Sequence, residues 1–199
     1  MAKLTSALPP AHTAAAMRWL ILACLILAVL LGSRSAQAQE RADAVEGKVK
    51  AAYLFKFGGY VDWPEGTFAS ADSPLTIGVI GADAMADELA QLAVGRTING
   101  RPVAVRKLRR DEPVTGLHVL FIGRAGNSRL ADILAAAKGQ PLLTVTESED
   151  ALAYGSMINF VIVDGKLRFE VAPRTAGQGK LNISARLLAA AHKVAPGAS

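Results

Sequence analysis

Hydrophobic residues recur at three- and four-residue steps after position 42, which predicts a helix over Asp43–Tyr60. Its apolar face is formed by Val45, Val49, Ala52, Tyr53 and Phe57. Gly58-Gly59 and then Trp63-Pro64 end this helix, because the residue before a proline is pushed towards extended geometry.

Short continuous apolar runs follow, and they predict buried strands. These strands are Leu75–Ile80, His118–Ile122 and Leu142–Val145. A further strand, Val103–Leu108, is predicted after a small turn at Asn99-Gly100. One helix is predicted over Asp83–Ala93, with Asp83 as its N-cap. Another is predicted from a cap at Asn127 or Ser128 to about Lys138.

The pattern changes towards the end of the chain. Met157–Val163 and Lys166–Val171 flank Asp164-Gly165, a strong signal for a two-residue hairpin. Arg168 and Glu170 alternate with apolar neighbours, so the hairpin has one polar and one apolar face. A last helix is predicted from Ser184 to Val194, with Asn182 or Ser184 at its start.

Apolar strands that alternate with helices predict an α/β fold. We expect a single domain with a mostly parallel sheet, helices on both faces and an antiparallel C-terminal hairpin at one edge. The loop Glu65–Pro74 is predicted to be the most mobile segment.

The N-terminal region has the features of a secretory signal peptide. Trp19–Leu31 is an unbroken apolar run, preceded by Lys3 and Arg18 and followed by Ala36-Gln37-Ala38. As a helix this run rises only about 20 Å, short of the ~30 Å hydrocarbon core of a membrane. We therefore expect residues 1–38 to be a signal peptide and residues 39–199 to form a periplasmic domain; an uncleaved anchor is the alternative.

Charge and cysteine content change once the signal peptide is removed. The whole chain has a formal net charge of +5, but the region after Ala38 carries 19 basic and 17 acidic residues. Its basic residues are mixed with acidic ones, apart from the short run Arg106–Arg110, which contains no aromatic residue, and this argues against nucleic-acid binding. The only cysteine, Cys24, lies in the apolar run, so the domain is expected to fold without disulfides.

Residues that could support catalysis are few. His118 and His192 are the histidines after the signal peptide, and no GxSxG motif, nucleophilic cysteine or metal-spaced histidine pair is present. Glu147, Glu149 and Asp150 form an acidic cluster that either attracts a cation or is a solvated loop. We expect neither a cofactor nor enzymatic activity.

Two glycine-containing turns are candidates for ligand binding. Gly81-Ala82-Asp83 and Gly123–Ser128 follow predicted parallel strands, where open α/β sheets bind ligands and helix N-termini attract anions. Asp83, Arg124 and Ser128 are the candidate ligand-binding residues. Tight turns that need glycine for backbone geometry alone are the alternative.

Aromatic side chains are concentrated around the first helix and its exit: Tyr53, Phe55, Phe57, Tyr60 and Trp63. One helix cannot bury all sides of this set against one sheet face. Part of it is therefore either exposed at a partner interface, where aromatic residues are enriched, or packed beneath the loop Glu65–Pro74.

Ordered segments over about Val45 to Val194 resemble the YfiR-like periplasmic family. They are Lys50–Phe57 with Val61–Pro64, Gly100–Arg106, His118–Ile122, Leu143–Thr146, Gly155–Phe160, Lys166–Val171 and Leu181–Leu188. The resemblance implies an exported regulator that binds the periplasmic region of an inner-membrane diguanylate cyclase, represses it and so lowers cyclic di-GMP and biofilm formation. Family members often carry disulfide-forming cysteines, whereas Leu117 stands where one is expected.

For binding to the cyclase, the candidate partner-binding anchors are Phe57, Tyr60 and Trp63. Arg168 and Glu170 are candidate charged residues at the rim of that interface. A homodimer is left open, and no permanent membrane insertion is expected. A competing hypothesis is a periplasmic small-molecule sensor that uses the crevice at the Gly81 and Gly123 turns.

Overall fold

The computed structural model of this chain describes residues 41–196. The described residues from Ala44 onward belong to one compact unit. The predicted signal peptide, residues 1–38, lies outside the described residues. Within residues 41–196, no helix combines the length and apolar character needed to span a membrane.

Helices and short strands alternate along the described chain. In order, the elements are α1 (residues 41–58), β1 (Val61–Asp62), β2 (Leu75–Ile80), α2 (Asp83–Ala93), β3 (Thr97–Ile98), β4 (Arg101–Leu108), β5 (Val119–Ile122), a 3₁₀ helix (Arg124–Arg129), α3 (Leu130–Ala137), β6 (Leu143–Thr146), β7 (Ile158–Val163), β8 (Lys166–Val171), α4 (Pro173–Gln178), β9 (Asn182–Ile183), α5 (Ala185–Ala190) and β10 (Lys193–Val194).

Eight of these strands form one sheet in the order β10-β8-β7-β6-β5-β2-β4-β3. The five strands β4, β2, β5, β6 and β7 run parallel, while β8 is antiparallel to β7 and β3 is antiparallel to β4. β1 and β9 form a separate antiparallel pair. This arrangement confirms the predicted α/β fold with a mostly parallel sheet.

The central strands are buried on both faces, as parallel strands covered by helices must be. Every residue of β5 and β6 is buried. One core cluster includes Leu54 and Phe57 of α1, whereas a second includes Leu120 and Ile133. The buried residues of the central strands are divided between these two clusters, so successive positions along a strand are apolar and the strands appear as continuous apolar runs in the sequence.

The buried face of α1 differs from the prediction. Val45 and Val49 are 62% and 40% exposed, whereas Ala51 and Leu54 are fully enclosed. Lys50 is buried on the same face, at a position where the helical spacing predicts an apolar side chain, and it is ion-paired there. The predicted apolar face was therefore wrong in the first turns of the helix.

Both predicted caps of the middle helices were wrong. Ala82 is the N-cap of α2, and Asp83 is the first helical residue and makes no capping hydrogen bond. Asn127 and Ser128 lie inside the 3₁₀ helix, so α3 begins only at Leu130.

The predicted hairpin is confirmed, but its place in the sheet is not at the edge. Asp164 and Gly165 have φ values of 51° and 69°, as a two-residue hairpin turn with right-handed strand twist requires. The predicted last helix is shorter than expected: Ser184 caps α5, which ends at Ala190. The last two residues of the predicted helix, Lys193 and Val194, form β10, which pairs with β8 and covers part of the edge.

Candidate functional site

Phe57 is part of the core. Its side chain is 1% exposed, and it contacts Tyr53, Phe160 and Phe169, with ring centroids 5.8, 5.8 and 5.1 Å away. The prediction that Phe57 is a surface anchor was therefore wrong, since the hairpin supplies the aromatic partners that bury it.

Trp63 belongs to a stack of rings beneath the loop Glu65–Pro74. The Phe68 ring lies parallel to the His118 ring at 4.3 Å, and Trp63 meets both rings edge-on. The guanidinium carbon of Arg101 lies 3.8 Å from the centre of the Phe68 ring, a cation–π contact. Trp63 therefore packs beneath the loop, and because its side chain is only half-buried, part of its surface stays accessible.

The same stack fastens the loop to the body of the domain. Nη1 of Arg101 donates hydrogen bonds to the carbonyl oxygens of Ser70 and Ala71, each at 2.7 Å, and to that of Ser73 at 3.1 Å. His118 Nδ1 accepts a hydrogen bond from the backbone N–H of Thr76 at 3.0 Å. The Arg101 bonds hold the second half of the loop against the start of β4, and the His118 bond joins the start of β2 to the residue before β5.

His118 is held in its neutral form. Burial lowers its pKa below the ordinary value, and the nearby charge of Arg101 acts in the same direction. A contact with the Thr67 backbone partly opposes the shift. Since Nδ1 already accepts a hydrogen bond, His118 has a structural role here.

The remaining candidate partner residues lie at two ends of the sheet. Tyr60, 37% exposed, follows α1 and lies with Trp63 near the amino ends of the parallel strands. Arg168 is exposed on β8, and Glu170 reaches the region beyond the carboxyl end of β6. The structure therefore does not bring the five candidates together on one surface.

The crevice predicted at the Gly81 and Gly123 turns is closed by backbone. A Cβ on Gly123 would lie 2.6 Å from the carbonyl oxygen of Gly81, and one on Gly81 would lie 2.6 Å from the backbone nitrogen of Gly126. These glycines allow β2 and β5 to end in direct contact, which leaves no space for a ligand between them. Asp83 and Ser128 are exposed on separate elements.

The anion predicted to bind at the second turn is a carboxylate of the chain itself. Glu147, which follows β6, accepts a hydrogen bond from the backbone N–H of Arg124 at 2.9 Å. This carboxylate occupies the start of the 3₁₀ helix, where an external anion was expected. Its other oxygen is ion-paired with Lys50.

Lys50 joins α1 to this end of the sheet. Its ammonium group pairs with Glu46 one turn earlier and with Glu147, and its side chain is 9% exposed. Nη2 of Arg124 lies 3.8 Å from Glu46. The buried charge is thus compensated by two carboxylates, as burial of a lysine requires.

A cleft of about 500 Å³ opens beside this ion-pair network. We call it the polar cleft; its walls include Glu46, Lys50, Arg124, Glu147, Asn159 and Glu170. Glu149 and Asp150 lie at its rim, and Phe160, Ile162 and Leu167 supply apolar surface. Arg124 and Glu170, predicted for two different functions, therefore line the same cleft.

Buried polar side chains support the floor of the polar cleft. Asn159 Oδ1 accepts hydrogen bonds from Thr146 Oγ1 at 2.8 Å and from the backbone N–H of Ser148 at 3.1 Å. Ser156 lies 2.9 Å from Thr146 Oγ1. This network fixes the loop after β6 against β7.

Across residues 41–196, no group of three or more His, Cys, Asp or Glu side chains is placed to hold a metal ion. Glu149 and Asp150 point to solvent, and Glu147 is committed to Lys50 and Arg124. The arrangement can bind a partner or ligand by charge and hydrogen bonding.

The comparison with protein families gives a match along nearly all of the described domain. The model described as YfiR/HmsC-like matches residues 47–192. This chain belongs to the YfiR/HmsC-like family. The resemblance noted from the sequence segments is thereby confirmed.

Several of the segments that resemble the YfiR/HmsC-like family contribute to the polar cleft. Lys50 comes from the first segment, Asn159 from Gly155–Phe160 and Glu170 from the hairpin, while Glu147 directly follows Leu143–Thr146. At the position where a family cysteine was expected, Leu117 is 6% exposed and packs close to Gly78 in the second core cluster.

Lys50 and Asn159 were missed as site residues from the sequence. The available signal was a lysine at the spacing of the buried helix face, and an asparagine inside an otherwise apolar strand. Their partners lie far along the chain, with 97 positions separating Lys50 from Glu147. Local pattern alone does not reveal such a pairing.

Proposed function

We propose that this chain is exported to the periplasm, with residues 1–38 as its signal peptide, and represses an inner-membrane diguanylate cyclase. It would bind the periplasmic region of that enzyme and so lower cyclic di-GMP and biofilm formation. The observation that carries the proposal is membership in the YfiR/HmsC-like family over residues 47–192.

Repression of this kind follows from a difference in binding energy between two states of the cyclase. A protein that binds only the inactive arrangement stabilises it by that difference. Moving an equilibrium from 1:99 to 99:1 takes about 5.5 kcal/mol. A few well-packed anchors can supply an energy of this size.

Two surfaces of the domain are candidate contacts. One is the end that carries Tyr60 and Trp63, and the other is the hairpin with Arg168 and Glu170 beside the polar cleft. Phe57 is not a candidate contact, because the core encloses its side chain. The small-molecule alternative loses its crevice, since the Gly81 and Gly123 turns are in contact.

Substitutions at each end test which surface binds. Alanine at Tyr60, Trp63 or Arg168, or Glu170→Gln, is expected to weaken binding to the cyclase periplasmic domain about tenfold or more where the residue is an anchor. Calorimetric titration measures the affinity, and Arg96→Ala, an exposed arginine near β3, is the matched control. Unchanged affinity in all four folded variants would remove these contacts from the proposal.

A further inference from the structure

β7 extends beyond the strand beside it. β6 pairs with β7 at Val145↔Ile158 and Thr146↔Asn159, and then β6 ends. β7 continues to Val163 and stays paired with β8 through Val163↔Lys166. On its other side, Phe160–Val163 has no strand of the described chain as a partner.

The backbone of Ile162 faces this free side. In a two-residue hairpin, the residues that flank the turn exchange both of their hydrogen bonds, and these are Val163 and Lys166. Because bonded and non-bonded positions alternate, the N–H and C=O of Ile162 point away from β8. Ile162 is 52% exposed and lines the polar cleft.

The polar cleft carries an excess of negative charge. Lys50 and Arg124 are already placed against Glu46 and Glu147. No basic side chain of residues 41–196 forms an ion pair with the other carboxylates of the cleft, which belong to Glu149, Asp150 and Glu170. The cleft therefore favours a cationic occupant.

A buried hydrogen-bond donor also lines the cleft. Asn159 is 3% exposed, and the N–H of Ser148 fixes its oxygen towards the loop. Its Nδ2 has no acceptor among the described side chains and backbone groups, although the atom is not fully enclosed. An occupant with a carbonyl oxygen would satisfy this donor.

The two faces of the hairpin differ in the side chains they offer. Phe160, Ile162 and Leu167 are apolar and lie on one face, whereas Asn159 and Glu170 are cross-strand neighbours on the other. A strand laid beside β7 directs alternate side chains to these two faces. Its apolar residues would meet the first face, and its basic residues would meet the carboxylates near the second.

We propose that the polar cleft docks an extended segment of a partner protein, in which lysine or arginine alternates with apolar residues. The segment adds a strand beside Phe160–Val163 and pairs with the backbone of Ile162, a recognised mode of peptide binding. That the partner is the cyclase periplasmic region rests on the proposed function, whereas the strand addition rests on the free edge and the charge.

A titration with a defined peptide tests the strand addition. The purified exported protein is titrated with a short synthetic peptide in which lysine and valine alternate. Ile162→Pro removes the edge N–H without touching the β8 ladder, and Ile162→Ala retains it as the matched control. We expect the peptide to bind Ile162→Pro about tenfold more weakly than Ile162→Ala. A loss of this size corresponds to one backbone hydrogen bond between the edge and the peptide.

Charge variants test the second half of the inference. The double variant Glu149→Gln/Asp150→Asn is expected to bind the peptide more weakly and with less dependence on salt, while Asp72→Asn, an exposed acid in the loop before β2, leaves binding unchanged. Thermal unfolding shows that each variant is folded. Equal binding by Ile162→Pro and Ile162→Ala, or by the double variant and wild type, would overturn the inference.

Other occupants give distinct results. If spermidine displaces the peptide and binds as tightly, the site takes a small organic cation, and the strand proposal is wrong. If sedimentation shows self-association that Ile162→Pro abolishes, the edge joins two copies instead. In cells, repression by Ile162→Pro equal to wild type would contradict only this inference, whereas no repression by wild type would contradict the proposed function and leave the peptide result standing.

Discussion

Lys50 occupies a position on α1 where the helix spacing places an apolar side chain. Its charge is buried against Glu46 and Glu147, and removing one member of such a group leaves charges without partners. The sequence indicates the helix, but only the tertiary fold brings Glu147 to it. The polar cleft could not be predicted for this reason.

Lys50→Ala is expected to lower the free energy of unfolding by about 3 kcal/mol or more, the usual cost of breaking a buried pair. Lys48→Ala is the matched control, because Lys48 is 63% exposed and lies 3.7 Å from Glu88. That variant should lose no more than about 1 kcal/mol. Urea unfolding measures both, and equal small losses would contradict the role given to Lys50.

His118 makes stability depend on pH in a defined direction. Its pKa in the folded chain lies below the ordinary value of 6.5, so the unfolded chain takes up a proton first as the pH falls. The stabilisation by neutral His118 is complete above pH 6.5 and is lost as the pH falls through the lower pKa of the folded state.

Replacing the histidine isolates this effect. His118→Gln is expected to show a weaker loss of stability than wild type when the pH is lowered from neutral to mildly acidic values, because glutamine does not titrate. The midpoint of urea unfolding at each pH gives the comparison, and all other titrating groups are common to both proteins. The same pH dependence in the two proteins would show that His118 does not contribute.

At the scale of elements, the long periodic segments were predictable and the short ones were not. β2, α2 and the β7–β8 hairpin follow directly from apolar runs, helical spacing and the Asp164-Gly165 turn. β1, β9 and β10 have two residues each, and they exist because their partners are brought close by the rest of the fold. No local pattern distinguishes such strands from loops.

The contact between the ends of β2 and β5 depends on glycine for space. Gly123→Ala is expected to destabilise the domain by about 2 kcal/mol or more, because its Cβ would lie 2.6 Å from the Gly81 carbonyl oxygen. Gly177→Ala in α4 has open space and should be neutral or stabilising by up to about 1 kcal/mol. Similar thermal stabilities for the two variants would contradict the closed crevice.

At the scale of the whole molecule, the sequence predicted the fold class better than the site. The fold class follows from the alternation of strands and helices, which requires only local pattern and the rules of α/β connection. The site depends on the relative lengths of two neighbouring strands. β7 continues beyond the end of β6, and this leaves an unpaired strand edge in the polar cleft. Strand lengths of this precision are not encoded in apolar runs alone.

We propose that the folded domain acts in the periplasm as a repressor of cyclic di-GMP synthesis. The most direct test is the cyclic di-GMP content of cells that lack this gene, compared with cells that regain it either whole or without residues 1–38. We predict a rise on deletion, which the whole chain reverses and the version without residues 1–38 does not. No rise on deletion, or full reversal by the version that cannot be exported, would contradict the central claim.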